Sequence, residues 1–327
     1  MGTPVIRIRR TSPCNVSDFI HIPVLLREAL EAMRVRPGGQ WVDGTCGGGG
    51  HCEAILEATV PGGFLWACDQ DGDAVEATRT RLGRFSGRFE VRRMNFEGLS
   101  GWLKAGSVDG VLLDLGTSSH QLDTPARGFS FQTEGPLDMR MDTRGGITAA
   151  DIINGWAPDE LADAFYRLGD EPDSRRIARA IVEERRARPF GTTVQLADCV
   201  ERVCPRRGRR THPATRVFQV LRMLVNRERA VLEAGLRAAW GVLAGGGRLA
   251  VITFHSGEDR MVKDFLREEA RDYDVPPGQP DVPELRVERR PRARLITRRP
   301  ILPGTAELEV NPRARSAQLR VAEKRED

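Results

Sequence analysis

Lysine is nearly missing from this chain. Of 50 basic residues only Lys104, Lys263 and Lys324 are lysines, leaving 47 arginines. A skew of that size fits drift toward GC-rich codons and names no partner by itself. No stretch reaches the ~18 uncharged apolar residues of a membrane-spanning helix, which excludes a helical span. The opening MGTPVIRIRR has no apolar run behind its arginines, so a secretory signal is not expected. The six cysteines, at 14, 46, 52, 68, 199 and 204, include no CxxC pair. A zinc site and a disulfide framework are therefore not expected, and reduced thiols in a cytoplasmic protein are. Internal repeats are absent.

What is there suits a globular enzyme-sized chain. With 327 residues, 40% hydrophobic and 29% charged, there is material for one large or two smaller cored domains. The formal charge is +4, but the arginines cluster: 206–216 holds five and no acid, and 286–327 holds twelve basic against six acidic residues. Such patches suit phosphate backbones, although solvated loops look alike.

The apolar periodicity predicts a helix near 23–34, a strand at 40–43, a helix near 51–59 and a strand at 64–69. A helix at 73–83 and strands at 88–94 and 108–113 follow. This alternation predicts a parallel, doubly wound α/β sheet with ligands at the strands' carboxyl ends. Residues 124–146 read as a long loop and 148–204 as helices. Helices at 214–226 and 228–243 follow, and strands return at 248–254 and near 294–301 and 316–322. A helical module inserted into an α/β domain is thus expected, divided as 1–123, 124–210 and 211–327.

The chemistry concentrates where the first strand hands over to a helix, in DGTCGGGGH at 43–51. Glycines there allow positive φ and close approach of a ligand to the main chain. Twenty residues beyond Gly49, Asp69 ends the second strand, where an acid holds ribose hydroxyls in dinucleotide enzymes and in S-adenosylmethionine enzymes alike. Asp43 discriminates: a carboxylate beside the glycines repels a pyrophosphate and tolerates a sulfonium, which favours S-adenosylmethionine over a nicotinamide cofactor. Phe96 follows the third strand, either as a wall for an adenine ring or as an ordinary core residue. Asp114 ends the fourth strand, facing the cofactor's methyl end.

Seven collinear strings carry a resemblance: DGTCGGGGH (43–51), DLGTSSHQLD (114–123), RGFSF (127–131), GPLDMRMD (135–142), HPATRVFQVLR (212–222), FHSGEDR (254–260) and NPRARSAQLR (311–320). On these the chain closely resembles the bacterial ribosomal RNA small-subunit methyltransferase H family. The resemblance implies a Rossmann-like class I S-adenosylmethionine-dependent methyltransferase sheet with an inserted helical domain. It implies methylation of the exocyclic N4 of one cytidine in the decoding region of 16S ribosomal RNA. It also implies that Gly49, Gly50 and His51 meet the methionine end, that Asp69 holds the ribose and Phe96 flanks the adenine, and that Asp114 and Gln121 complete a pocket that Asp43 borders. Three positions depart from the family pattern: Cys46 for an aromatic residue, His120 for proline and Gly257 for leucine. The glycine is expected to loosen the loop that carries His255.

No DPPY-type tetrapeptide follows the fourth strand, so Asp114, with Ser118 and Ser119, is expected to draw on the N4 hydrogens, and His255 to line the base pocket. Arg127, Arg140, Arg216, Arg313 and Arg315 are the expected phosphate contacts that offset unstacking the base. The expected partner is small-subunit ribosomal RNA, within the assembling subunit, with room for a homodimer and none for a membrane. Two rivals stay open here: an N4-cytosine methyltransferase acting on another nucleic acid, and a non-catalytic RNA-binding protein of the same fold.

Overall fold

The computed structural model describes residues 23–205 and 211–326. Cys14, the N-terminal decapeptide and four arginines of the 206–216 run (Arg206, Arg207, Arg209 and Arg210) lie outside the described residues. A short helix, α1 (Leu26–Met33), precedes β1 (Gln40–Asp43). Then come α2 (Gly50–Ala58), β2 (Phe64–Asp69), α3 (Gly72–Leu82) and β3 (Phe89–Arg93). A 3-10 turn at Phe96–Gly98 runs into α4 (Leu99–Trp102) and β4 (Val108–Asp114). After β4 the chain leaves the sheet through α5 (Ser119–Asp123) and a long irregular segment. It then builds α6 (Ala149–Gly155), α7 (Pro158–Gly169), α8 (Ser174–Ala187), α9 (Thr193–Val203) and α10 (Ala214–Val225). It returns by α11 (Glu228–Val242) to β5 (Leu243–Thr253) and α12 (Ser256–Ala270). The last elements are β6 (Ala293–Leu295), α13 (Thr305–Val310) and β7 (Gln318–Lys324).

The main sheet of the described residues has seven strands, ordered β3-β2-β1-β4-β5-β7-β6, apart from a small antiparallel ribbon of Tyr273–Asp274 and Val287–Glu288. The first five are parallel, and β7 runs antiparallel to both neighbours. That one reversed strand departs from the all-parallel sheet the alternation predicts, because apolar spacing carries no strand direction. This order and direction are those of the class I methyltransferase sheet. Alternate residues of each strand feed opposite faces. Trp41, Leu65, Leu112 and Ala250 pack with α1, α2 and α3; Val42, Cys68, Leu113 and Val251 pack with α11 and α12. A separate core joins the long loop to α6–α10 through Phe129, Phe165, Ile177, Leu196 and Leu221.

Because β1, β2 and β4 are parallel, their terminal acids Asp43, Asp69 and Asp114 emerge along one edge. Gly49, at φ +78°, caps α2, and a Cβ there would press within 3.2 Å of the Thr78 backbone. Gly235 inside α11 has a different reason: a Cβ would sit 2.1 Å from the Phe96 ring. A glycine costs a helix interior about 1 kcal/mol, and here it seats that ring. Gly257 lies in the first turn of α12, so the chain there is helical and not the loosened loop expected from glycine.

Candidate active site

The strand ends enclose a cavity of about 330 Å³, lined by the glycine turn 44–48, Asp69, Phe96, Asp114 to Ser119 and Gln121 on the sheet side. Met141 from the long loop, Asn226, Glu228 and Glu258 from the helices, and Val310 to Arg313 from the C-terminal segment complete the wall.

Asp43 is buried; its carboxylate accepts from the Thr45 amide (3.1 Å) and the Cys52 thiol (3.1 Å). Burial pushes its carboxyl up to about 6. Asp69 accepts one backbone N–H on each oxygen, from Gly47 (3.0 Å) and Asp71 (2.9 Å), which ties the glycine turn to β2. Burial pushes this carboxyl to about 6 as well. Asp114 donates its amide to Thr45 Oγ1 (2.6 Å), while its Oδ1 is buried with no hydrogen-bond partner among the described residues. Burial, then the nearby charges of Asp43, Glu258 and Glu307, raise it well above the usual carboxylate range. His51 places Nε2 3.0 Å from the Val24 carbonyl and so donates there, which turns Nδ1 toward Asp114 Oδ2 at 3.7 Å.

Ser118 and Gln121 line the cavity, as expected of Gln121, and also hold the local chain. They form a capping box at α5: the Gln121 amide donates to Ser118 Oγ (3.2 Å) and the Ser118 amide to Gln121 Oε1 (3.1 Å). Gln121 Nε2 then donates to Asp71 Oδ2 (2.8 Å). Both side chains border the cavity, but their polar atoms first fix the segment that follows Asp114. His255 does not line the cavity. It caps α12, with Nδ1 accepting from the Glu258 amide (3.3 Å), and stands behind Glu258.

The five arginines separate. Arg127 is buried, paired with Asp71 (2.8 Å) and Asp73 (3.0 Å) and donating to the carbonyls of Arg140 and Met141. Arg140 folds back on Asp138 in a two-point contact. Arg216 is half exposed on α10 and donates to the Asp170 carbonyl. Arg313 stands at the cavity mouth, paired with Asp123 by two hydrogen bonds of 2.6 and 3.1 Å, and Arg315 is exposed beside it.

Glu228 and Glu258 are absent from the sequence expectations. With His255 they offer three ligand-type atoms within 4.8 Å of one another. Arg222 already supplies a cation there, donating to both oxygens of Glu228 at 2.8 and 3.0 Å.

The donor set fits S-adenosylmethionine. Four carboxylates and one arginine line the cavity, a balance that attracts a sulfonium with an ammonium group and repels a pyrophosphate. The orphaned Asp114 oxygen awaits a donor, the Asp69 oxygens retain lone pairs for ribose hydroxyls, and Phe96 offers an aromatic wall.

The sequence matches the MraW methylase family over residues 18–325. A Thermomicrobium roseum protein named ribosomal RNA small subunit methyltransferase H is 50% identical over 307 residues, covering 93% of each chain. Proteins of the same name from Trichlorobacter lovleyi and Heliobacterium mobile are 47% and 45% identical, each alignment covering 94% of this chain and 99% of the relative.

Proposed function

Because the chain belongs to the MraW methylase family, we infer that it methylates the exocyclic N4 of a cytidine in the decoding region of small-subunit ribosomal RNA, with S-adenosylmethionine as cofactor. The observation that carries this reading is the acid-lined cavity at the ends of β1, β2 and β4, in a chain that matches named ribosomal RNA methyltransferases over nearly its whole length.

The cytosine amine is a weak nucleophile because its lone pair is delocalised into the ring. The bound cofactor supplies an activated methyl group; the chain must hold N4 in line with it and draw on the N–H as charge builds. Asp114 takes that role in this reading: it lines the cavity, and its buried Oδ1 has no hydrogen-bond partner among the described residues. Asp69 holds the ribose, and Gly49, Gly50 and His51 meet the methionine end. Ser118 and Ser119 shape the segment beyond Asp114, and backbone carbonyls there assist.

We place the base-unstacking work on the helical module, residues 124–210, whose own core supports treating it as a unit that α10 extends. Arg313 and Arg315 are the phosphate contacts best supported by position. The substrate in this reading is the assembling small subunit, since an inserted wall and a basic rim suit a structured particle.

Mass mapping of small-subunit ribosomal RNA from a strain lacking this chain tests the reading. One cytidine is expected to lose one methyl group and to regain it with the wild-type chain but not with Asp114→Ala. A map unchanged by the deletion refutes it.

A further inference from the structure

A second carboxylate faces the same space as Asp114. Glu258 sits in the first turn of α12, only 7% exposed, and lines the cavity. Its Oε2 accepts from the Phe254 amide (3.0 Å), an ordinary helix-start contact. Capping uses that oxygen alone. Oε1 lies 3.2 Å from His255 Nε2, a buried nitrogen with no aligned hydrogen bond among the described residues. His255 Nδ1 accepts from the Glu258 amide, which leaves the ring hydrogen on Nε2, the nitrogen nearer Glu258. Glu228 is the other glutamate on this wall, but Arg222 occupies both its oxygens. Glu258 alone therefore presents an oxygen whose close neighbour is a titratable imidazole.

We propose that Glu258 takes the proton that N4 loses, with His255 as its positioning residue; this rests on the reading of the chain as a cytidine N4-methyltransferase. The amine carries two hydrogens. Asp114 Oδ1 accepts a hydrogen bond from one and Glu258 Oε1 from the other. As the N4 lone pair forms the new N–C bond, the C–S bond breaks and leaves its electron pair on sulfur. N4 becomes cationic, one N–H electron pair returns to nitrogen, and the proton passes to Glu258 and later to water. A weak base suffices, because an amine bearing the new bond is strongly acidic. Burial works against the charge on Glu258, but His255, Arg222 and the Phe254 amide hold its carboxyl below its ordinary range. Asp114, in the same cavity lining, is held above its ordinary range, chiefly by burial. Carboxylates whose environments push them apart are a recurring mark of divided acid–base roles.

Glu258→Gln keeps the side-chain size and the acceptor for the Phe254 amide. It is expected to bind S-adenosylmethionine by calorimetry, and small-subunit particles by filter retention, within about twofold of wild type. Its single-turnover methyl transfer is expected to fall about 100-fold or more. His255→Gln is expected to keep cofactor affinity and to shift the acid limb of the rate–pH profile upward. With the imidazole gone, Arg222 and the Phe254 amide alone among the groups named here still lower Glu258, against the nearby acids Asp114 and Glu228, and it holds its proton to higher pH. Glu258→Gln turning over within a few-fold of wild type overturns the assignment. So does a rate loss accompanied by equal loss of cofactor affinity and melting temperature, which marks a cap and nothing more. A wild-type chain that binds cofactor yet leaves the particles unmethylated overturns the proposed function instead, and this role with it.

Discussion

Asp43 and Asp69 close neighbouring parallel strands, and burial pushes both carboxyls to about 6. From about pH 4, where an unfolded aspartate ionises, up to about 6, the folded chain keeps protons that the unfolded chain has released. Each group's contribution to stability therefore falls as pH rises through that window and is level above it. A cationic ligand whose hydroxyls donate to Asp69 favours the ionised forms, so binding expels these protons. S-adenosylmethionine affinity is expected to drop as pH falls from 7 to 5, by up to about tenfold per unit for each linked group. Calorimetry in buffers of different ionisation enthalpy reads the released protons directly, and Asp69→Asn should flatten the slope. Affinity constant across that range would contradict the linkage. These acids were legible in the sequence because a strand's last residue is a local property. Glu258 was not: nothing local in FHSGEDR sets it apart, and only the fold brings it to the same cavity as Asp114. The burial of Arg127 was equally hidden, since its partner Asp71 lies far back in the chain.

Asp71 is where three elements are tied together. It caps α3 by accepting the Asp73 amide (3.1 Å), receives Gln121 from α5, and pairs with Arg127 from the turn that follows. The segment after Asp114 is thus anchored to the helix after Asp69, and the two cofactor-side acids keep a fixed separation. Removing one partner of a buried ion pair leaves the other charge uncompensated, at about 3–5 kcal/mol. Arg127→Met is therefore expected to lower the midpoint of chemical denaturation by a corresponding amount. The salt dependence of particle binding should stay as in wild type, because a buried guanidinium neutralises no phosphate. A reduced salt slope with unchanged stability would return Arg127 to the phosphate contacts. Element types were readable where periodicity is strong, as in α10 and β4. α13 was not, since six residues after a proline-rich stretch hold too few turns to show a period, and its Glu307 still reaches the Leu25 amide at 2.8 Å.

At the scale of the whole molecule, several side chains tie the sheet to the helical layer, and Asn226 makes three of the hydrogen bonds at that junction. Asn226, between α10 and α11, accepts the Met141 amide on Oδ1 (2.8 Å) and donates from Nδ2 to the carbonyls of Met139 (2.9 Å) and Arg222 (2.8 Å). Met141 in turn lines the cavity and receives Gln70 Nε2 at its sulfur (3.1 Å), and Arg93 holds Asp142 (2.9 Å). The helical layer therefore supplies a cavity wall that is fixed at both ends, from the end of α10 and from Gln70 after β2 and Arg93 at the end of β3. Ligand binding at the strand ends should be felt there and should fade into the helical core, which has its own packing. Hydrogen exchange with S-adenosylmethionine added is expected to slow at the Gly47 and Met141 amides and to stay unchanged inside α7 and α8. Asn226→Ala leaves the Met141 amide and Met139 carbonyl without their partner, at about 1–3 kcal/mol. It should abolish the ligand-induced protection at Met141 while sparing that at Gly47. Protection spreading evenly through α7 and α8 would mean instead that the two layers respond as one body.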